Sequence, residues 1–198
     1  MNTKQKGNNF EREMSRMLSL WWTNGKRDDA IWRSASSGAL TTVGKGRYLA
    51  HTGDFAATDA EAAPLFDRVI IEAKRGYSRY SVQDLLDVPD KAMPKNPVWD
   101  MFFKLGRACL GQHKLGLLLW KRDRRDLLVF ARNSGYFPGG IFPHPGQIAP
   151  LRLAGEGVVG VVYGMPWKYF ALNVSADRIR SLPVPLAVSS ASKLSIPF

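Results

Sequence analysis

The sequence predicts a mixed α/β fold with the element order helix, three strands, helix, two strands. Apolar residues at helical spacing near the N-terminus predict an amphipathic helix. An apolar segment, residues 68–74, predicts a strand, and two further apolar segments, residues 115–120 and 127–131, flank a charged turn. With 198 residues and 45% hydrophobic content, the chain is long enough for one core, or for one core with an elaboration.

The first half of the chain is predicted to form one helix and three strands. The helix is indicated by five apolar residues at helical spacing, namely Phe10, Met14, Met17, Leu18 and Trp21. Asn24-Gly25 ends it, and residues 30–34 predict a short strand that leads into a loop of small residues. A strand around residues 54–57 is followed by an acidic turn, residues 59–67, and by the strand that ends at Lys74. We expect these last two strands to form a hairpin.

The second half begins with helical patterns and ends in strands and loops. Ser81, with Asp84 three residues later, is typical of a capped helix start, and residues 98–110 predict a second helix that Gly111 closes. Beyond Asn133, prolines and glycines indicate a long loop, and residues 158–163 and 169–174 predict further strands. We therefore divide the chain into a core, residues 1–133, and a β-rich C-terminal extension, residues 134–198, that packs on the core. We expect the extension to end in a tail that packs on the body or stays loose.

The charge of the chain favours a polyanionic partner. Lysine and arginine number 28 against 17 aspartate and glutamate residues, which gives a formal net charge of +11. Nucleic acid is the most economical partner for such a chain, because each neutralised phosphate releases condensed counterions. A basic surface that serves solubility alone is the alternative.

Cysteine usage and hydropathy exclude several other classes. Cys109 is the only cysteine, so one chain can build neither a disulfide framework nor a thiolate zinc site. Residues 1–9 are polar and lack the apolar segment of a secretory signal, and no stretch is long enough to span a bilayer. We expect a cytoplasmic, soluble protein with no membrane partner.

The chemistry of the chain centres on the strand that ends at Lys74. Side chains of a strand alternate between its faces, so Glu72 and Lys74 project to one side while Ile71 and Ala73 point into packing. If the segment with Asp54 lies alongside, two carboxylates converge as a hard divalent cation such as Mg²⁺ requires. Such a site suits the hydrolysis of phosphodiesters. A solvated surface pair for Glu72 and Lys74, and a plain turn residue for Asp54, are the alternatives.

Three motifs, in the order in which they occur along the chain, carry a resemblance to a known family. They are residues 6–14 (KGNNFEREM), residues 33–38 (RSASSG) and residues 72–74 (EAK), with the isolated Asp54 between the second and the third. Together they resemble the PD-(D/E)XK nuclease superfamily and, within it, the archaeal-type Holliday junction resolvases. The resemblance covers about residues 6–90. Gly53 departs from the pattern, because it stands where the name-giving proline would be.

The resemblance implies a restriction-endonuclease-like core, in which helices flank a mixed central sheet, and a set of catalytic residues. Asp54 and Glu72 would be metal ligands, with the carbonyl of Ala73 as a third oxygen. Lys74 would orient or deprotonate the attacking water, and Glu11 would bind the metal directly or through water. The implied metal is Mg²⁺, with Mn²⁺ as a substitute, and the implied assembly is a homodimer on DNA, branched DNA included.

Contacts with DNA are expected from basic and small polar residues around this site. The candidates are Arg12, Arg33, Ser34, Ser37, Lys45, Arg47, Arg75 and Arg79. Gln83 is a candidate accessory residue, with an ordinary polar helix residue as the alternative. The turn of residues 121–125 adds further candidate phosphate contacts.

The predicted function is that of a metal-dependent DNA endonuclease, selective for DNA structure as a Holliday junction resolvase is, which would act in recombination and repair. One alternative is a sequence-specific duplex endonuclease of the phage, restriction or homing type in the same superfamily. The other is a noncatalytic nucleic-acid-binding protein. Loss of one acid or of the lysine would favour the noncatalytic protein, but all four groups are present in the sequence.

Overall fold

The computed structural model describes residues 3–34, 50–82, 84, 97–132, 149–153 and 160–184. In chain order its elements are α1 (Thr3–Trp22), β1 (Ile31–Arg33), β2 (Ala50–Thr52), β3 (Phe55–Ala57), α2 (Ala63–Arg68), β4 (Val69–Arg75), α3 (Pro97–Gln112), β5 (Leu115–Lys121), β6 (Leu127–Arg132), β7 (Ala149–Leu153), β8 (Gly160–Pro166), α4 (Trp167–Asn173) and α5 (Ala176–Arg180). The mixed α/β class is thereby confirmed.

A five-stranded mixed sheet forms the centre of the described structure. Its strand order is β4-β5-β6-β8-β7, so β4 lies at one edge and β7 at the other. Strands β4 and β5 are parallel, and α3 supplies the crossover between them. The remaining neighbours are antiparallel. Parallel neighbours need such a crossover, which explains why a helix separates these two strands in sequence.

Helices cover both faces of this sheet. On one face Ile71, Leu117 and Leu119 pack in a cluster with Phe10 and other residues of α1. On the other face Ile70, Leu118, Trp120 and Phe130 pack against Phe102 and other residues of α3. The alternation of β4 and β5 between two separate apolar clusters makes the described fold a sheet between helical layers.

A second, three-stranded sheet brings the segment around Asp54 to the edge of the main sheet. Its order is β1-β3-β2, with β2 and β3 antiparallel on either side of Gly53 and Asp54. Gly53 forms an isolated parallel bridge with Ile71 of β4. The edge of β4 that does not pair with β5 is therefore the place where the two sheets meet.

Most predicted elements are confirmed, and three are wrong. The strand of Asp54 forms no hairpin with β4, because β3 pairs with β2 and with β1. The acidic turn contains helix α2, and residues 169–174 lie largely in helix α4. Ser81 and Asp84 hydrogen-bond each other, as expected of a helix cap.

The short apolar segment after Pro166 forms a helix because helical spacing buries two of its residues. Phe170 and Val174, four residues apart, are fully buried, whereas Tyr169 and Leu172 are exposed. The indole of Trp21 donates a hydrogen bond of 2.9 Å to the carbonyl of Val174 and ties the end of α4 to α1. The described part of the C-terminal extension therefore combines two strands with two helices.

The C-terminal strands belong to the main sheet. β8 pairs directly with β6 and β7 pairs with β8, so the sheet continues beyond residue 133. The division of the chain at that residue stays a prediction. Among the helices of the described residues, none combines the length and the apolarity needed to cross a bilayer.

Candidate active site

The turn of Gly53 and Asp54 fixes the position of the first acidic residue. Gly53 has a φ of +75°, which L side chains rarely adopt. A Cβ at this position would collide with the carbonyl oxygen of Ile71. The amide of Asp54 donates a 2.9 Å hydrogen bond to the same oxygen. Proline, with its φ near about −65°, does not fit this turn, which explains the departure of Gly53 from the family motif.

Backbone contacts hold the turn and the Asp54 carboxylate in place. Asp54 Oδ2 accepts a 2.8 Å hydrogen bond from the amide of Ala73. The Ser34 hydroxyl donates to the carbonyl of Gly53 at 2.8 Å, and the Ser34 amide donates to the carbonyl of Asp54, also at 2.8 Å. The Asp54 carboxylate is thereby anchored to β4 and its backbone to the end of β1.

Asp54 and Glu72 converge on the ammonium group of Lys74. Lys74 Nζ lies 3.2 Å from Asp54 Oδ2 and 2.8 Å from Glu72 Oε2. As strand alternation predicts, Glu72 and Lys74 are partly exposed while Ile71 and Ala73 are buried. The three groups therefore form one charged cluster at the edge of the sheet, although the turn of Asp54 and strand β4 are remote from each other in sequence.

The electrostatics of this cluster shift the pKa values of two of its groups. Burial raises the pKa of Glu72, and the nearby Asp54 carboxylate raises it further, while Lys74 works against both. For Lys74 burial is the largest effect and disfavours the ammonium, but the attraction of Asp54 and Glu72 outweighs it and raises the pKa of Lys74. Lys74 is therefore firmly protonated at neutral pH.

Glu11 approaches the same centre from helix α1. Its pKa is raised by burial and by the Asp54 carboxylate, and lowered by Arg33 and Lys74. Its Oε2 lies 3.1 Å from Nε of Arg33, and both side chains are mostly buried. Arg33 also donates a 3.2 Å hydrogen bond to Asn8 Oδ1. Glu11 is thus coupled electrostatically to the cluster while its direct partner is Arg33.

The donor chemistry of the cluster fits a hard divalent cation. Asp54 and Glu72 are buried enough to repel each other, and a bound cation would relieve that repulsion. No group of three or more His, Cys, Asp or Glu side chains in the described part of the chain is arranged to hold a metal. Mg²⁺ nevertheless requires only one or two carboxylates, since it retains several waters. The carboxylate pair is therefore the donor set on which a metal would depend, and the carbonyl of Ala73 stays a prediction.

The predicted DNA-contacting residues fall into three groups. Arg12 and Arg79 are exposed, and Arg75 is half-buried between Glu13 and Asp123, with its guanidinium over the ring of Phe10. Arg33 and Ser34 take part in the site itself, Ser34 being only 3% exposed. The predicted contacts Ser37, Lys45 and Arg47 lie outside the described residues, as does the candidate accessory residue Gln83.

Sequence reasoning missed two features of this site. The first is the pairing of Arg33 with Glu11, which joins segments whose contact only the fold creates. The second is a wall formed by helix α3, where Met101 and Leu105 lie beside Glu72 and Lys74. Their spacing of four residues was visible in the sequence and marks one helix face, but it did not reveal which strand that face covers.

The fold and the site together define a nuclease core. In this core, an aspartate of the turn between two strands lies beside a glutamate and a lysine, spaced Glu-x-Lys, near the end of another strand. Comparison with protein families agrees: residues 2–134 match the family described as "Phage putative PDDEXK endonuclease". The chain belongs to this family, and so to the PD-(D/E)XK nuclease superfamily. Neither the curated proteins nor the solved structures contain a match.

Proposed function

We propose that this protein is a Mg²⁺-dependent endodeoxyribonuclease that hydrolyses phosphodiester bonds at the cluster of Asp54, Glu72 and Lys74. The observation that carries the proposal is the convergence of two carboxylates from separate segments on one lysine ammonium. A plain turn residue at Asp54 would not need the partly buried hydrogen bond that the Ala73 amide donates to its carboxylate. Mn²⁺ is the expected substitute for Mg²⁺.

Asp54 and Glu72 would hold the metal, and Glu11 would add a third carboxylate directly or through water. When bound, Mg²⁺ polarises a phosphoryl oxygen and offsets negative charge that develops in the transition state. The anchored Asp54 turn needs no rearrangement to present its carboxylate, which favours preorganised binding. Arg33 holds Glu11 by an ion pair at 3.1 Å and so positions it beside the cluster.

Lys74 would act as a fixed positive charge that orients the attacking water and the phosphate. A general base needs a pKa near the working pH, but the two carboxylates raise the pKa of Lys74 instead. The sequence left orientation and deprotonation as equal roles. The raised pKa supports orientation and charge stabilisation.

Phosphate contacts would come from the basic surface beside the end of β4. Strands β4 and β5 are in register at Arg75 and Lys121, so the turn after Lys121 extends from the same end of the sheet. Arg124 and Arg125 of this turn are exposed. Together with the net charge of +11, this surface supports a DNA substrate.

Two substrate classes remain candidates for this chemistry. The family description names a phage endonuclease, and for such an enzyme we propose duplex DNA as the substrate. The sequence motifs resemble the resolvases and favour branched DNA, cut by a homodimer. Resolvase activity, the homodimer, a role in recombination and repair, and residence in the cytoplasm stay predictions.

The test of the chemistry is a cleavage assay with purified protein on duplex DNA, with and without Mg²⁺. Asp54→Asn, Glu72→Gln and Lys74→Ala should each lower the rate by at least about a hundredfold. Asp67→Asn and Lys26→Ala are matched controls, since both residues are exposed and lie outside the cluster. Cleavage without metal, or full activity of Asp54→Asn and Glu72→Gln, would show that the assignment is wrong.

The test of substrate class compares a four-way junction with a linear duplex built from the same arms. A strong preference for the junction, with paired cuts in opposite strands, would support the resolvase. Equal cutting of both substrates would reject it in favour of a duplex endonuclease.

A further inference from the structure

A cavity of about 340 Å³ lies directly beside the proposed active site. Glu72 and Lys74 form one of its walls, and helix α3 contributes most of the rest. The catalytic cluster itself leaves this space unexplained, because a phosphate and a metal at the two carboxylates would not require a lined cavity along α3.

The lining combines an apolar floor, supplied by four residues of α3, with four charged side chains. Met101 and Leu105, four residues apart on α3, are almost fully buried, and Ala108 follows on the same helix face. Lys104 lies at the rim in an exposed ion pair of 2.6 Å with Asp100. In small-ligand sites, apolar walls bind the apolar part of the ligand, and polar or charged groups fix its orientation.

Tyr77 places an aromatic ring at the rim of the cavity on a fixed backbone. Its side chain is 40% exposed, and its φ of +57° lies in the left-handed region. Trp120 Nε1 donates to the carbonyl of Gly76 at 3.2 Å, and the amide of Tyr80 donates to the carbonyl of Tyr77 at 2.9 Å. These two hydrogen bonds fix the backbone on both sides of Tyr77, so its ring stays at the rim of the cavity.

The volume of the cavity decides whether a base pair or a single nucleotide can occupy it. Small-ligand sites span about 300–1,000 Å³, so this cavity lies near the lower limit and suits one nucleotide. A base pair within duplex DNA cannot enter it, because both bases remain stacked between their neighbours. An unpaired base, in contrast, offers a flat face for the Tyr77 ring and for the polarisable Met101 thioether.

We propose that the cavity receives one unpaired nucleotide of the DNA strand that is cut, next to the phosphate held at Lys74. This inference rests on the proposed nuclease function. The base would lie between Tyr77 and the apolar floor of α3, and Lys104 would face the next phosphate. Since a paired base must first be extruded at an energetic cost, the cavity would make the enzyme selective for DNA with an unpaired nucleotide.

The experiment compares two duplexes with identical flanks, one fully paired and one with a single unpaired nucleotide. Their affinities are measured by fluorescence anisotropy without divalent metal, so that no cleavage occurs. The wild-type protein should bind the second duplex about tenfold more tightly. Ala108→Phe, which fills the cavity, should reduce the ratio of these two affinities to about one. Ala60→Phe adds the same ring at an exposed position outside the lining, and should keep the ratio.

Tyr77 gives a second variant that does not depend on tolerance of a larger side chain. Because Tyr77 is exposed, Tyr77→Ala should fold normally, and it should lower the ratio severalfold. Tyr77→Phe retains the ring and should retain the ratio. Circular dichroism of each variant verifies that the fold is intact.

The outcomes separate this inference from the proposed function. Equal binding of both duplexes by the wild type, or a preference that survives both Ala108→Phe and Tyr77→Ala, overturns the nucleotide site. If the wild type then still cleaves the paired duplex with Mg²⁺, the nuclease proposal stands without it. If the wild type neither binds nor cleaves DNA, both fail together.

Discussion

Strands β4 and β5 are parallel neighbours in one sheet, yet they carry opposite kinds of residue at matched positions. Glu72 is in register with Leu118, and Lys74 with Trp120. Leu118 and Trp120 are fully buried in the apolar cluster against α3, whereas Glu72 and Lys74 line the cavity beside that helix. The same strand geometry thus gives a core on β5 and a charged cleft on β4.

The difference arises from position in the sheet. β5 has a strand on each side, but β4 lies at the edge, where the Gly53–Asp54 turn replaces a full strand partner. An edge admits side chains from other elements and water, which charged groups require. At these matched positions we therefore expect stability to depend on the β5 residues Leu118 and Trp120, and activity on the β4 residues Glu72 and Lys74. Single substitutions should separate the two.

The largest effect on stability is expected from Leu118→Ala. Its side chain is 0% exposed, and truncation leaves a cavity beside α3. The free energy of unfolding should fall by about 2–5 kcal/mol, as measured by urea denaturation. Leu172→Ala is the control, since Leu172 is 82% exposed on α4 and should change stability by less than about 0.5 kcal/mol. Similar losses in both variants would contradict the assignment of the core to β5.

A smaller effect is expected from Gly53→Ala, which acts on the junction of the two sheets. The new Cβ would meet the Ile71 carbonyl oxygen at a φ of +75°, and the strain should lower stability by about 1–3 kcal/mol. Displacement of Asp54 should lower the rate of DNA cleavage as well. Melting curves and the cleavage assay measure the two effects.

Gly25→Ala is a matched control for that variant. Gly25 has a φ of +81°, but a Cβ there would meet nothing within 4 Å. The Gly25→Ala variant therefore has the backbone strain without the collision and without contact with the site. Equal loss of stability and unchanged cleavage in both variants would show that the close approach at Ile71 has no role.

The sequence predicts the regular parts of this molecule because they follow local periodicity. Helix α1 and strands β4, β5 and β6 have apolar patterns long enough to predict each element from its own sequence, without knowledge of its neighbours in the fold. Strand alternation likewise predicts that Glu72 and Lys74 share a face, which their partial exposure confirms.

The remaining parts depend on contacts that no local pattern contains. The pairing of Gly53 with Ile71 joins residues far apart in sequence, so the expected hairpin of the Asp54 strand with β4 was wrong. The segment after Pro166 is short and apolar, and its helix is decided by packing of Phe170 and Val174 near Trp21. Whether the candidate site residues act in catalysis stays a prediction.

The smallest effect on stability, and the sharpest test of the comparison, is expected from Glu72→Gln. A carboxyl group whose pKa is raised on folding stabilises the folded state fully below its unfolded pKa, about 4.3, and loses that contribution as the pH rises through the folded pKa. Burial and Asp54 raise the pKa of Glu72. Ionised Glu72 should therefore destabilise the protein at pH 8, and the neutral amide should be more stable there by less than about 1 kcal/mol, since Lys74 offsets part of the cost.

The measurement is the difference in free energy of unfolding between wild type and Glu72→Gln, from about pH 4 to pH 8. It should be near zero at the acidic end and favour the variant at the basic end. Glu13→Gln is the matched control, since it removes the same charge from a side chain that is 63% exposed on α1. A variant that gains stability while cleavage falls at least about a hundredfold would show that β4 holds its charges for activity at the expense of the fold. A variant that loses stability at pH 8 would instead make Glu72 a structural partner of Lys74, and the contrast with Leu118 would disappear.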